Sequence, residues 1–165
     1  MTIRRIRAEE HEALRELRLR ALADAPDAFG RTHADEAAQP PERWTGWAER
    51  GSAGEEEALF VLEHEGGLNG LAAVVPYRDE PGTCMLISMW VAPELRRGGA
   101  GERLVRTALD WAATTGNETM LLWVVQSNAP ALGLYRKLGF VETGETQPLP
   151  SNPSLPEQLM RRSLL

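Results

Sequence analysis

This sequence predicts an α/β fold of the α+β kind, one mixed and mostly antiparallel sheet of about seven strands with helices on both faces. Three observations carry that expectation. Three β-rich runs, Ala58–His64, Leu68–Tyr77 and Thr83–Val91, follow one another across turn residues, as in a meander. Two helix-period segments, Gly99–Thr115 and Asn128–Leu138, then alternate with strand-like runs. The whole order reads β-α-α-β-β-β-α-β-α-β-β over 165 residues, a length that suits a single domain.

Each element has its own signal. Thr2–Ile6 is a short strand, and Ala8–Asp24 is a helix whose Leu14, Leu17, Ala21 and Leu22 form one apolar face before Pro26 stops it. Residues 24–40 read as a long loop carrying Phe29 and His33. A second helix, Pro41–Arg50, opens with proline, where a missing N–H costs little. Gly66-Gly67 marks a hairpin, Asp79-Glu80-Pro81-Gly82 a turn and Pro93 the end of the third run. Leu104, Val105, Ala108, Leu109 and Ala112 share a face of the next helix, which Gly116 closes. Thr119–Val125 is apolar throughout, as in a strand covered on both sides. Gly139 ends the following helix with Phe140 set to pack against it. Phe140–Gln147 and Gln158–Leu164 are the last strands, joined by the proline-rich stretch Pro148–Pro156.

Composition narrows the function. A net charge of −6 argues against a nucleic-acid partner. No window approaches about 18 uninterrupted apolar residues, and the start Met1-Thr2-Ile3-Arg4-Arg5-Ile6 has no apolar core of a signal peptide, so the expectation is a cytoplasmic protein with no membrane partner. Cys84 is the single cysteine and lies in an apolar run, which reads as a buried core thiol rather than a nucleophile. His11, His33 and His64 have no metal-ligand spacing, so no metal is expected.

The most informative stretch runs from Met89 to Glu102: a strand, a proline-broken turn, a glycine-rich loop and a helix start. Residues without a Cβ let backbone N–H groups close on a bulky anion, and the helix N-terminus adds partial positive charge. Arg96, Arg97, Arg103 and Arg106 outweigh Glu102, so the loop is basic within an acidic chain. A pyrophosphate site is the economical reading. It is not a P-loop, because no Gly-Lys pair exists, nor a dinucleotide fingerprint, because position 104 is leucine.

Arg96, Gly99 and Gly101 do fit Arg/Gln-x-x-Gly-x-Gly/Ala. Here the sequence resembles the GNAT N-acetyltransferases, whose motif of this form binds the pyrophosphate of coenzyme A. A second stretch, Asn128 to Phe140 with Leu134-Tyr135-Arg136-Lys137-Leu138-Gly139-Phe140, resembles the family's later motif. The likeness is strong over residues 83–145 and is an element pattern before that. Asp24–Gly30 and Pro148–Pro153 look similar to a bacterial subgroup without a named substrate.

The resemblance implies the GNAT fold and acetyl-CoA as co-substrate, with the pyrophosphate on Arg96, Arg97, Gly98, Gly99, Ala100, Gly101 and Glu102. It implies a pantetheine arm between Met89, Trp90 and Val91 on one strand and Leu122–Val125 on the next, with Asn128 and Tyr135 beside it. The reaction is direct attack of a primary amine of a small molecule or peptide on the thioester. Tyr135 takes the role of proton donor to the departing thiolate. Family members often carry a glutamate as base on the fourth strand, but Leu86-Ile87-Ser88-Met89-Trp90 has no carboxylate. Glu36, Glu63, Glu65 or a water chain stay open for that task. Acceptor specificity is expected in segments 25–47 and 147–157, with Phe29, His33, Trp44 and Trp47, although Trp44 and Trp47 share a helix face and also suit packing. A non-catalytic acyl-CoA-binding sensor or assembly module is the rival reading; such proteins usually lose the loop glycines or the tyrosine, and this chain keeps both. The acceptor's identity, the acyl group and the oligomeric state, a homodimer included, stay open.

Overall fold

The computed structural model describes residues 1–165, in which seven strands form one sheet in the order β1-β2-β3-β4-β5-β7-β6. They are β1 (Thr2–Arg5), β2 (Ala58–His64), β3 (Gly67–Pro76), β4 (Thr83–Val91), β5 (Thr119–Val125), β6 (Val141–Leu149) and β7 (Asn152–Ser163). Only β4 and β5 pair in parallel, so the mixed, mostly antiparallel sheet expected from the sequence is the one that forms. The helices are α1 (His11–Asp24), α2 (His33–Ala37), α3 (Pro41–Ala53), α4 (Ala100–Thr114) and α5 (Ala129–Lys137). No helix is long and apolar enough to cross a membrane.

Alternation along the strands sorts the core into two layers. Phe60, Leu62, Val74, Leu122 and Met160 pack with the apolar stripe of α4 and with Leu132 and Tyr135 of α5. Leu59, Val61, Leu71, Ala73 and Trp90 face the other way, onto Leu14, Leu17 and Ala21 of α1 and Trp44, Trp47 and Ala48 of α3. Burying a Leu or Val side chain is worth about 1.5–3 kcal/mol, so these stripes, rather than helix propensity, hold α1 and α4 in place. Cys84 is buried in the first layer, and burial pushes its thiol up to about 11, which makes it a core residue and a poor nucleophile.

Two segments depart from the sequence expectation. Residues 24–40, which read as loop, hold a tight 3-10 turn at Pro26–Ala28 and the helix α2. Five helical residues are too few to show a period; α2 is set instead by Thr32, whose side chain accepts from Asp35 N at 3.1 Å, and by the burial of Glu36. The stretch Pro148–Pro156 is not an irregular connection either. β6 and β7 run into it and turn at Pro150-Ser151. Pro148 faces Pro156 across that pair, and the β7 pairing with β5 begins at Glu157, so no third strand needs the missing N–H groups of Pro153 and Pro156.

The sheet opens at β4. Leu71 pairs with Trp90 but Ala73 pairs with Ile87, so β4 carries an extra residue, and Ser88 adopts a φ of 58°. Pairing with β5 ends at Met85 opposite Leu121. Beyond that point β4 and β5 part.

Candidate active site

A cleft of about 710 Å³ lies where the two strands separate. Met89, Trp90 and Val91 line it from β4, and Trp123, Val124 and Val125 from β5. Asn128, Leu134 and Tyr135 line it from α5, and Arg96, Arg97, Gly99, Gly101 and Glu102 from the start of α4. Leu122 points the other way, into the layer under α4.

The loop before α4 is shaped by two left-handed residues, Arg97 at φ 67° and Gly99 at φ 82°. Gly99 caps the helix, its carbonyl accepting from Arg103 N at 3.0 Å. None of the backbone N–H groups of residues 97–102 makes a hydrogen bond within the protein. A row of free donors at a helix start is a site for an anion. Gly101 shapes the cradle: a Cβ there would lie 3.4 Å from Met89 Cε, 3.7 Å from Leu134 Cδ2 and 3.9 Å from Val91 Cγ2. Gly98 and Ala100 do not line the cleft, and Ala100 is buried beneath the loop, so these two can offer only backbone.

Two charged side chains of the loop, Arg96 and Glu102, are spent on structure. Arg96 donates from Nε to the Val91 carbonyl at 2.9 Å and from Nη2 to Asp24 Oδ2 at 2.6 Å. Glu102 accepts from Lys137 Nζ at 2.6 Å and from Arg106 Nη2 at 2.9 Å, clasping α4 to α5, and Lys137 before Arg106 holds its carboxyl below the usual range. Asn128 caps α5, its Oδ1 accepting from Ala131 N at 3.3 Å. Tyr135 is 7% exposed and meets Phe140 edge-on with ring centroids 5.7 Å apart, yet it still lines the cleft. Burial alone raises its pKa above the ordinary tyrosine value, so the hydroxyl keeps its proton at neutral pH.

A second cavity of about 450 Å³ adjoins the cleft on the α1–α3 side, sharing Ala28 and Trp123 with it. Phe29, Trp47, Ser88, Arg18, Arg43 and Glu157 are among its lining. Its two banks are tied together: Ser151 of the β6–β7 turn donates to the Phe29 carbonyl, and Asn152 Nδ2 donates to Asp27 Oδ1 at 3.3 Å. A glycine cradle, a cleft between parted strands and a second cavity therefore lie side by side, with Ala28 and Trp123 common to the last two.

Residues 12–140 match the acetyltransferase (GNAT) family. The chain belongs to that family. N-acetyltransferase family 8 member 3 of Rattus norvegicus is 36% identical over 90 residues, 53% of this chain and 40% of that protein. The chain thus spans well under half of that curated relative. Among solved structures, a GNAT acetyltransferase from Streptococcus pneumoniae superposes with a TM-score of 0.84 at 17% identity, covering 98% of both chains. A Salmonella typhimurium protein solved with its cofactor acetyl-CoA superposes with a TM-score of 0.81 at 23% identity, over 100% of this chain and 94% of that one. These likenesses establish the GNAT fold.

Some residues that the GNAT resemblance singles out are not where the sequence suggested. His33 is exposed on α2 and lines neither cavity, because the short helix turns it outward. Trp44 is buried against Trp47, with ring centroids 6.2 Å apart, and serves the core; Trp47 both packs and lines the second cavity. None of the three candidate bases lines either cavity. Glu36 is fully buried between Arg31 and Arg43, Glu63 is held by Arg4 at 2.8 Å, and Glu65 sits in the β2–β3 turn at φ 51°. Glu157, unmarked in the sequence, is 6% exposed and lines the second cavity, where Gln147 Nε2 donates to it at 2.6 Å. Arg18 was also missed, although it stands on the same helical stripe as Leu14 and Ala21, a visible signal of a charge turned inward.

Proposed function

We propose that the chain transfers the acetyl group of acetyl-CoA to a primary amine of a small molecule or a peptide. The observation that carries this reading is the run of free N–H groups at residues 97–102, bordering a cleft between β4 and β5 that has a second cavity beside it. The residues fit the co-substrate: the loop offers donors for a pyrophosphate, and the cleft between Met89 and Val91 on one side and Val124 and Leu134 on the other suits a slender arm. The Salmonella relative solved with acetyl-CoA supports the same assignment. Bound acetyl-CoA would supply an activated acyl group as a thioester.

The protein's own part is to place and polarise. Past Met85, β4 has no strand partner on its β5 side, and the bulge at Ser88 turns its backbone out of the ladder. A backbone N–H there is our proposed donor to the charge that develops on the carbonyl oxygen. Tyr135 holds the proton that the leaving sulfur needs. For the base we propose Glu157: of the two carboxylates lining the second cavity, Glu57 is ion-paired with Arg50 at 2.9 Å, whereas Glu157 meets only a neutral amide.

Thiol release from acetyl-CoA, measured against a panel of primary amines and matched alcohols, tests the reading. Release that depends on amines is the expected result. Acetylation of the alcohols alone would exclude the reaction class.

A further inference from the structure

The second cavity holds a buried arginine that no carboxylate pairs with directly. Arg18 is 5% exposed and lines this cavity. Its Nε has no hydrogen-bond partner, and its single hydrogen bond runs from Nη1 to Ser88 Oγ at 3.3 Å. The guanidinium lies 4.7 Å from the Phe29 ring centroid and 5.9 Å from that of Trp47, so aromatic faces fix its position. No carboxylate comes within ion-pair distance of it.

None of the nearby acids forms an ion pair with Arg18. Glu36 lies 3.5 Å from both Arg31 and Arg43. Glu57 holds Arg50, and Glu157, the proposed base, lines the same cavity without forming an ion pair with Arg18. Burial, only partly offset by Glu36, pushes the Arg18 pKa down to about 10, which leaves it charged at neutral pH. An unpaired buried guanidinium is costly to keep. A pre-organised one at the rim of a reaction site is what recognition of a planar anion requires.

Resting on the acetyl-transfer reading above, we infer that the acceptor is a free α-amino acid whose carboxylate pairs with Arg18. Arg18 contacts Ser88, the bulged residue where β4 parts from β5. A carboxylate seated on Arg18 would set an α-amine, one carbon away, beside that bulged residue. Arg31, Arg43 and Arg50 also line the cavity and repel polyamines. A peptide N-terminus carries no carboxylate at that distance.

The test sets each common L-amino acid against its carboxamide and its decarboxylated amine. Two signals are read: thiol release with acetyl-CoA, and quenching of tryptophan emission without it. At least one amino acid is expected to exceed its carboxamide by about 10–100-fold in kcat/KM, the worth of charge-assisted hydrogen bonds. Arg18→Met should bring that ratio close to one, with Arg18→Lys recovering part of it. Carboxamides used as well as acids overturn the inference and leave acetyl transfer standing. Arg18-dependent binding of amino acids without thiol release upholds the anion pocket and removes the acetyl-transfer reading. Absence of both binding and turnover for every amino acid overturns the inference. Should Arg18→Met fail to fold, the acid-to-carboxamide ratio of the unmodified protein gives the answer.

Discussion

Arg96, the arginine of the glycine motif, donates to Asp24 at the end of α1, Nη2 to Oδ2 at 2.6 Å. The same oxygen accepts from Trp90 Nε1 at 2.9 Å. One carboxylate thus fixes the end of β4, the loop and the end of α1 relative to one another, and the motif arginine works here as a brace.

Loosening that brace should affect binding more than folding. The pair is half exposed, so Asp24→Asn should cost about 1 kcal/mol of stability or less. Acetyl-CoA affinity should fall about 5-fold, because the loop donors lose their register. Trp90 first and Arg96 second hold the Asp24 carboxyl below its usual value. A depressed folded-state pKa means the contribution is complete above the ordinary aspartate value near ~3.9 and is lost as pH falls below it. Calorimetry between pH 6 and 9 should therefore show no titration of the brace; a step in affinity in that range would contradict it.

Gly101 should tolerate no branched side chain while ligand is bound. A Cβ meets Met89, Leu134 and Val91 at 3.4–3.9 Å, ordinary contact distances, so Gly101→Val should fold. Its methyl groups would occupy the cleft beside the free N–H groups. Thermal stability is expected to change by less than about 1 kcal/mol, while acetyl-CoA affinity drops on the order of 100-fold, the scale of a clash against a tightly packed ligand. Unchanged affinity in the folded variant would move the ligand elsewhere.

What the sequence disclosed follows from what physical constraint each residue expresses. Gly99 and Gly139 are legible because φ values of 82° and 91° admit little else, and the helix cap they predict is present: Phe140 N donates to the Tyr135 carbonyl at 3.0 Å. Arg18 is half legible. Its spacing from Leu14 and Ala21 places it inward, but nothing local says that its counter-charge is missing. Glu157 is hidden by its neighbours, since Pro153 and Pro156 announce a loop and only the strand order shows that they lie beyond β5. His33 misleads for a related reason: the direction of a five-residue helix is decided by the burial of Glu36, which is a tertiary event.

Glu157→Gln separates the base from its frame. Gln147 Nε2 can donate to the amide oxygen as it does to the carboxylate, so the β6–β7 hairpin should keep its geometry. Loss of the base is expected to lower kcat by about 10²–10⁴-fold at pH 7. The deficit should shrink as pH rises and the acceptor amine deprotonates unaided. A variant as active as the unmodified protein at pH 7 would return the task to water.

Tyr135 presents the sharpest separation of packing from chemistry. Its ring is part of the core, stacked edge-on against Phe140 and surrounded by the layer under α4. Its hydroxyl has no protein partner, and burial keeps it protonated well beyond neutral pH. Tyr135→Phe retains the ring and removes one oxygen that satisfies no buried group, so stability should shift by less than about 1 kcal/mol. Turnover should fall by about 10²–10⁴-fold if the phenol delivers the proton to the leaving sulfur. Acetyl-CoA affinity should hold within a few-fold, since the loop donors are untouched. The raised pKa adds a second check. The hydroxyl titrates only well above the ordinary tyrosine value near ~10, so the alkaline side of the pH–rate profile should show no loss from this group up to that pH. A leaving thiol with a lower pKa would relieve the variant, because a better leaving group needs less protonation. Equal losses with good and poor leaving groups, together with a lowered melting temperature, would assign Tyr135 to the core alone.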